Sequence, residues 1–139
     1  MKPEIRTDVA IIGAGSAGLY AMREVRQAGR SFVLIDHGPL GTTCARVGCM
    51  PSKVALHAGA MWAARKEIAG VGGLETLSLD TAQVWAALRK QRDQFAIRPA
   101  KAARSMAGEF LLEGPARFRE PGVLEVEEVV EQVAVVGLG

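Results

Sequence analysis

The spacing of hydrophobic residues changes along the chain, and each change predicts a different kind of element. The largely apolar segment Asp8–Ile12 leads directly into Gly13–Gly18, which predicts a buried strand that turns into a helix. The helix is predicted over Ser16–Ala28, with Gly29 placed to end it. Its apolar face is expected to comprise Ala17, Ala21, Val25 and Ala28. A second apolar run at Ser31–Asp36 predicts the next strand.

A strand, a helix and a second strand within residues 8–36 predict a βαβ unit. The crossover in such a unit is nearly always right-handed, and its two strands are parallel. The predicted fold class is therefore α/β, a doubly wound, Rossmann-like parallel sheet with flanking helices.

Two long helices are predicted after this unit. The first follows the loop at residues 37–41, carries both cysteines and continues through Ser52 to about Ala69, where a glycine-rich segment closes it. The second begins near Asp80, which is a suitable N-cap, and should break or kink at Pro99. Its apolar stripe is predicted to be Val84, Trp85, Leu88 and Phe95.

Short β-like runs replace the helical pattern from Glu109 onwards. The four runs are Phe110–Leu112, Ala116–Phe118, Val123–Val126 and Val133–Val136. We predict strands that return to the parallel sheet, together with a small meander. With no internal repeat and no low-complexity linker, a single domain over residues 1–139 accounts for the pattern.

Several side chains that could suggest chemistry are given structural roles instead. We assign Met61, Trp62 and Trp85 to apolar helix faces in the core, and His37 and His57 to structural or surface positions. The basic residues of the second long helix are predicted to form a solvated face. They are Arg89, Lys90, Arg92, Arg98, Lys101 and Arg104.

Composition and charge exclude some classes of binding partner. The 139 residues are 49% hydrophobic and 23% charged, which is ordinary for a globular domain that builds a core without disulfide or metal staples. The net charge is only +2 and the basic residues are scattered, so we expect no nucleic-acid partner. Apolar runs are short and the N-terminus lacks a signal-peptide core, so we expect no membrane partner and a cytoplasmic location.

The glycines at 13, 15 and 18 form a G-x-G-x-x-G motif between the first strand and the first helix. Gly13 would permit the tight turn, Gly15 would let a pyrophosphate approach the backbone, and Gly18 would let helix and strand pack closely. Asp36 lies 18 residues beyond Gly18, where an acid could accept hydrogen bonds from an adenosine ribose. A carboxylate at this position would repel the 2′-phosphate of NADP, so FAD or NAD is favoured. The alternative interpretation of the glycines is an ordinary glycine-rich turn, and that of Asp36 is a solvated carboxylate at the end of a strand.

The two cysteines, Cys44 and Cys49, have the spacing C-x4-C. On an ideal α-helix their Cα atoms would be about 8.6 Å apart, whereas a disulfide needs less than about 7 Å. A disulfide would therefore require a distorted turn, for which Gly48 and Pro51 provide the backbone freedom. A strained disulfide is easily reduced, which suits catalysis. The alternatives are two inert thiols and a metal site, although only two histidines are present and we predict no metal.

The G-x-G-x-x-G motif, combined with the segment G-T-T-C-A-R-V-G-C-M-P-S-K at residues 41–53, resembles the class I pyridine nucleotide-disulfide oxidoreductases. The closest resemblance is to dihydrolipoamide dehydrogenases, and mercuric and glutathione reductases share most of the motif. The resemblance covers residues 7–126. Two departures are Asp36, where the family usually has Glu, and Thr42, where it usually has Gly.

The resemblance implies FAD bound in extended form, with its pyrophosphate on the glycine turn. Asp36 would lie at the adenosine ribose, Thr43 beside the phosphates, and the backbone of Pro115 and Ala116 at the adenine. The full implied set of cofactor-binding residues is Gly13, Gly15, Ser16, Ala17, Gly18, Asp36, Gly41, Thr42, Thr43, Cys49, Lys53 and Ala116.

The resemblance also implies the roles of the catalytic residues. Cys49 would be the charge-transfer thiol over the isoalloxazine, and Cys44 the interchange thiol that attacks the substrate. Lys53 would lie close to the flavin N5, or it is an ordinary solvated helix lysine. The implied activity passes electrons between a dithiol or disulfide substrate, such as dihydrolipoamide, and NAD. The alternatives are a mercuric or glutathione-type reductase and a non-catalytic FAD-binding fragment.

Length is the largest departure from the family. Family members add an NAD-binding domain and an interface domain that forms a homodimer and carries a catalytic His-Glu pair. We therefore expect the 139 residues to be a partial FAD-binding domain of an enzyme and to be inactive alone. Residues 133–139 resemble the start of a second, NAD-binding fingerprint, or they form the closing strand of the FAD-binding half.

Overall fold

A computed structural model describes residues 4–72, 80–127 and 132–137. The chain divides into two compact units at residues 42/43 and 97/98. We call Thr43–Ile97 the helical unit and the remainder the sheet unit. The strands are β1 (Glu4–Thr7), β2 (Val9–Ile12), β3 (Phe32–Asp36), β4 (Leu111–Glu113), β5 (Ala116–Glu120), β6 (Val123–Glu127) and β7 (Gln132–Gly137). The helices are α1 (Ser16–Gln27), α2 (Thr43–Arg46), α3 (Cys49–Gly72) and α4 (Thr81–Ala107), with a 3-10 turn at Gly108–Phe110.

The sheet unit contains a parallel sheet and a mixed sheet. Strands β2, β3 and β4 are parallel and adjacent in that order, which confirms the βαβ unit and the returning strand. The second sheet has the order β1-β7-β6-β5, in which β1 and β7 are parallel and the other pairs are antiparallel. The meander is thereby confirmed. Strand β1 escaped prediction because its sequence, Glu-Ile-Arg-Thr, contains one large apolar residue.

The side chains of the parallel sheet alternate between two hydrophobic clusters. Phe32 and Leu34 pack on one side with Met22 of α1 and with Ala103 and Ala107 of α4. On the other side Val33, Ile35 and Leu112 pack with residues of β6 and β7. Because successive strand residues point to opposite faces, the continuous apolar run of β3 serves both clusters. Among the described residues, helices cover one face and the mixed sheet covers the other.

The face of α1 that is buried differs from the apolar face predicted from the sequence. Met22 is buried, and Leu19, Ala21 and Val25 pack beside it, whereas Ala17 and Ala28 are exposed. An alanine side chain removes little apolar surface from water, so the larger Leu and Met side chains decide which face of the helix is buried. The helix ends one residue before the prediction, and Gly29 has φ +66° as its terminating role requires.

The helical unit differs from the prediction at three points. The helix that was to carry both cysteines is two helices, α2 and α3, which end and begin on either side of Val47-Gly48. Helix α4 continues without a break through Pro99 to Ala107. Its N-terminus agrees with the prediction, since Asp80 caps it by accepting bonds from Ala82 N (2.9 Å) and Gln83 N (3.2 Å). The assignment of Met61 and Trp85 to the core is wrong, since they are 64% and 57% exposed.

The exposure of Met61 and Trp85 has a geometric cause. The unit consists of one short and two long helices, so it has too few layers to enclose every apolar face. His37 and His57 are exposed, in agreement with the sequence prediction. Over the described residues, the helices are too short or too polar to span a bilayer.

Candidate functional site

The glycine turn between β2 and α1 is fixed by two of its three glycines. Gly13 has φ +102°, a conformation that side chains other than glycine rarely adopt, and its N–H donates to the Ile35 carbonyl at 2.7 Å. A Cβ placed on Gly18 would overlap the carbonyl oxygen of Gly13 and lie 3.0 Å from its carbonyl carbon. The first and third glycines are therefore required by the fold itself.

Gly15 is different because the fold does not require a glycine there. Its φ is −77°, and a Cβ built on it would meet nothing within 4 Å. The residue is the N-cap of the 12-residue helix α1, whose first turn contains no acidic side chain and whose cap has no side-chain hydrogen bond. The open space lies where free N–H groups and the positive end of the helix dipole attract an anion. These features fit the predicted role of Gly15 beneath a pyrophosphate.

Asp36 ties the glycine turn to the end of β3. Its carboxylate accepts hydrogen bonds from Ala14 N at 2.5 Å and from Gly38 N at 2.7 Å, and 18% of its side chain is exposed. A carboxylate has further lone pairs, so both oxygens can accept additional bonds from a ligand. The structure thus gives Asp36 a role in holding the turn that sequence analysis missed.

Asp36 also lines a cavity of about 290 Å³ that includes Gly13, His37, Pro115 and Ala116. The Gly114 N–H donates to the Asp36 carbonyl at 3.0 Å and holds the two segments together. This volume is at the lower limit of ligand pockets, so it suits one end of a larger molecule. The predicted ribose and adenine residues, 80 positions apart, are therefore neighbours. The participation of His37 was not predicted.

We expect Asp36→Asn to destabilise the sheet unit by about 1–2 kcal/mol, because the amide nitrogen cannot accept one of the two backbone N–H groups. Urea unfolding of the purified chain measures the loss. Asp93→Asn is the matched control, since Asp93 is an exposed carboxylate bonded to Arg92, and it should change stability by less than about 0.5 kcal/mol. Equal losses in the two variants would contradict the clamping role.

The cysteine pair lies where the helical path is interrupted. Cys44 is in α2 and Cys49 is the first residue of α3, and both are exposed free thiols. Between them, the N–H groups of Val47 and Gly48 both donate to the Thr43 carbonyl at 2.9 Å. A Cβ on Gly48 would be 3.2 Å from that carbonyl oxygen, so the tight turn favours glycine. The distorted turn that a Cys44–Cys49 disulfide would require is therefore present, although the two cysteines are free thiols in this structure.

The two thiols lie within hydrogen-bonding distance of each other. The hydrogen bond to Cys49 is the main reason that the pKa of Cys44 is raised, and partial desolvation adds to it. The positive charge of Lys53 acts in the opposite direction and lowers the pKa of Cys44. The helical unit therefore brings together all three predicted catalytic residues, Cys44, Cys49 and Lys53.

We predict opposite pH shifts for two variants of the reduced chain. Cys49→Ala removes the hydrogen bond that stabilises the protonated Cys44, so the pH midpoint for alkylation of Cys44 by iodoacetamide should fall. Lys53→Gln removes the stabilising charge, so the midpoint for Cys44 should rise. Mass spectrometry of the labelled peptide separates the cysteines. Shifts in the same direction would show that the two neighbours do not act on Cys44 as described.

The remaining predicted cofactor residues lie in two segments. Ser16 and Ala17 are exposed in the first turn of α1. Gly41, with φ +115°, and the half-buried Thr42 belong to the sheet unit, and Thr43 begins α2 in the helical unit. Their contacts with a cofactor remain predictions.

Comparison with known proteins identifies the family. The sequence matches the pyridine nucleotide-disulphide oxidoreductase family over residues 7–137, and the chain belongs to this family. Its relatives include a dihydrolipoyl dehydrogenase of Staphylococcus aureus, which is 44% identical over 54 residues, covering 39% of this chain and 12% of that protein. A mercuric reductase of Shigella flexneri is 33% identical over 116 residues, covering 81% of this chain and 20% of that protein.

A solved structure supports the fold. The Cu(II) complex of the HOCl-induced flavoprotein disulfide reductase RclA from Escherichia coli superposes with a TM-score of 0.68 over 95% of this chain and 27% of that one, at 17% identity. The chain thus spans between about an eighth and a fifth of the two relatives' length, and the relatives are oxidoreductases.

Proposed function

We propose that this chain binds FAD as part of a flavoprotein disulfide oxidoreductase, with dihydrolipoamide oxidation by NAD as its first candidate reaction. The observation that carries the proposal is the pair of exposed free thiols, Cys44 and Cys49, on either side of a tight turn between two helices, with Lys53 in the first turns of the second helix. Membership of the pyridine nucleotide-disulphide oxidoreductase family supports it.

The residues of the sheet unit fit one half of FAD. The open space at Gly15 and the N-terminus of α1 would hold the pyrophosphate, and the cavity at Asp36 and Ala116 would hold the adenosine. FAD, when bound, would supply a two-electron carrier between the thiols and the nicotinamide. Ser16, Ala17, Gly41, Thr42 and Thr43 are proposed to contribute further phosphate contacts.

The thiol chemistry proceeds by disulfide exchange, in which the pair changes between dithiol and disulfide. In the oxidising direction, a thiolate of the substrate attacks Cys44 Sγ and displaces the Cys49 thiolate, giving a mixed disulfide. The second substrate thiolate then attacks its own mixed-disulfide sulfur and displaces the Cys44 thiolate. The substrate leaves as a disulfide, two electrons remain on the cysteine pair, and two protons pass to solvent or nearby bases. Lys53 favours the thiolate of Cys44 by its charge.

A mercuric or glutathione-type reductase is the second candidate, in which electrons run from the nicotinamide towards the thiols. The observation that favours it is the match to mercuric reductase, which extends over 81% of this chain. The thiol pair and the proposed flavin contacts are the same in both directions. A non-catalytic FAD-binding chain is the third candidate.

An electron count tests the proposal. The purified, oxidised protein is loaded with FAD, desalted and titrated anaerobically with dithionite. We expect uptake of four electrons per flavin, two by the flavin and two by the Cys44–Cys49 disulfide, and only two in Cys44→Ser. Uptake of two electrons by the unmodified protein would mean that the cysteine pair is not redox-active, as a non-catalytic chain requires.

A further inference from the structure

The helical unit contains a cavity that combines positive charge with apolar walls. Its volume is about 250 Å³, and its charged lining consists of Arg46, Arg89 and Arg92. None of the described residues that line it is acidic. Leu88 and Trp85 provide much of its apolar wall. We call this cavity the arginine pocket.

The arginine pocket is built mainly from regular elements. Trp85, Arg89 and Arg92 have the spacing i, i+4, i+7, which places them on one face of α4. Arg46 is the last residue of α2 and faces the same cavity. The three arginines line one cavity because α2 and α4 both contribute to it, and Val47 of the turn between α2 and α3 completes that part of the lining.

The three arginines of the pocket differ in their interactions, and Arg46 and Arg92 each have a partner. Arg92 donates to Asp93 Oδ1 from Nε at 2.8 Å and from a terminal nitrogen at 2.6 Å. Within the part of the chain that the structure describes, Arg89 makes no ion pair and no hydrogen bond through its side chain. A guanidinium stays protonated at every physiological pH. Arg89 therefore presents a charge that an anion would neutralise.

We propose that the arginine pocket binds the carboxylate of an aliphatic acid whose apolar body lies in an adjoining groove. The groove has a volume of about 640 Å³, contains Met61 and Trp62, and shares Trp85 and Leu88 with the pocket. Guanidinium groups bind carboxylates through paired, charge-assisted hydrogen bonds. The shared wall lets one molecule place its charged end among the arginines and its chain along the groove.

Size and polarity exclude two simpler ligands. A pocket of about 250 Å³ is smaller than the roughly 300–1,000 Å³ of sites that enclose a whole cofactor or drug-sized ligand. It therefore accommodates an end group and not a dinucleotide. Inorganic phosphate needs polar partners around most of its surface, which the apolar walls at Trp85 and Leu88 do not supply. Arg46, Val47 and Pro51 of the pocket belong to the same segment as the two cysteines. Binding of a carboxylate there requires neither FAD nor a change in the oxidation state of the thiols, so the proposal does not depend on the proposed redox function.

The ligand chemistry is tested by calorimetric titration of the full chain, without FAD or reductant. Octanoate is the probe, and octanamide and inorganic phosphate are its controls, because the first lacks the charge and the second lacks the apolar chain. We expect octanoate to bind at least ten-fold more tightly than either control, a difference of about 1.4 kcal/mol. Equal binding of octanoate and octanamide, or no saturable octanoate binding, would overturn the proposal.

Charge-matched variants test the location. Arg89→Gln should weaken octanoate binding ten-fold or more, whereas Lys90→Gln, an exposed neighbour outside the cavity lining, should leave it within about two-fold. Both substitutions remove one positive charge and keep a good helix former, so circular dichroism should be unchanged. Equal weakening by the two variants would show a non-specific effect of charge and contradict the pocket.

Trp85 offers a local readout. The chain has two tryptophans, so Trp62→Phe leaves Trp85 as the only one. Because Trp62 lines the groove, the octanoate affinity of this variant is first measured by calorimetry. The fluorescence of Trp85 should then change with octanoate over the same concentration range, and remain constant with octanamide. If the fluorescence of Trp85 does not respond to octanoate, the groove is not a ligand site. If Arg89→Gln changes the molecular mass measured by light scattering, the groove is an interface between copies of the chain, and the proposal is wrong for that reason.

Discussion

Gly18→Ala is expected to lower the free energy of unfolding by about 3 kcal/mol, the upper range for an overpacked position. The added Cβ would overlap the Gly13 carbonyl oxygen, which belongs to the backbone and cannot rotate away as a side chain could. Relief requires α1 to move from β2, and Met22 of α1 and Ile11 of β2 are buried in the same hydrophobic cluster. Urea unfolding followed by far-UV circular dichroism measures the loss, and FAD binding should be lost with it.

Gly15→Ala provides the control for this prediction. The same methyl group at Gly15 meets open space and requires no unusual φ, so the free energy of unfolding should change by less than about 0.5 kcal/mol. FAD binding should nevertheless weaken at least ten-fold, since the methyl group occupies the proposed place of the pyrophosphate. Retention of full FAD affinity in Gly15→Ala would refute that place, whereas an equal stability loss in both variants would refute the packing argument.

Cys49→Ser is expected to reduce turnover between a disulfide and NADH by at least about 10³-fold, as loss of a covalent catalytic group does. In the reducing direction Cys44 attacks the substrate disulfide, and Cys49 then displaces it from the mixed disulfide. Without Cys49 the mixed disulfide on Cys44 should accumulate. Mass spectrometry after addition of an aromatic disulfide to the reduced variant detects the adduct and its position.

Cys44→Ser is the matched variant. It should lose turnover to the same extent, but Cys49 should form little adduct if Cys44 alone is the interchange thiol. Accumulation of the adduct on Cys49 in Cys44→Ser, with none on Cys44 in Cys49→Ser, would reverse the two roles. Turnover is measured on a protein that includes the proposed nicotinamide-binding part, while the adducts can be measured on this chain.

The sequence predicts the glycine turn and the strand ends well because backbone constraints there leave few alternatives. Gly18 had to be small for the helix to approach the strand, and the structure confirms this close approach at the Gly13 carbonyl. The sequence also predicted that Asp36 ends the second strand, and in the structure it is the last residue of β3. That its carboxylate would accept the Ala14 N–H could not be predicted, because it depends on side-chain reach in three dimensions.

The helical unit was predicted less completely. Local signals identified the turn between the cysteines, where Gly48 is needed, and the Asp80 cap. Local signals could not show that Trp85 remains exposed, because burial depends on which elements pack together and not on the spacing along one helix. For the same reason the apolar stripe of α4 did not reveal the arginine pocket, whose lining comes from α2, α3 and α4.

The visible spectrum of the FAD-loaded protein tests the central claim most directly, because it requires the cysteine pair and the flavin to be in contact. On anaerobic reduction of the unmodified protein by two electrons, we predict a long-wavelength absorbance from the Cys49 thiolate to the oxidised flavin. Cys44→Ser, whose Cys49 is already a free thiol, should show this absorbance before any reductant is added, and Cys49→Ser should not show it at any stage. A spectrum that lacks this absorbance in the unmodified protein, or keeps it unchanged in Cys49→Ser, would contradict the placement of Cys49 at the flavin.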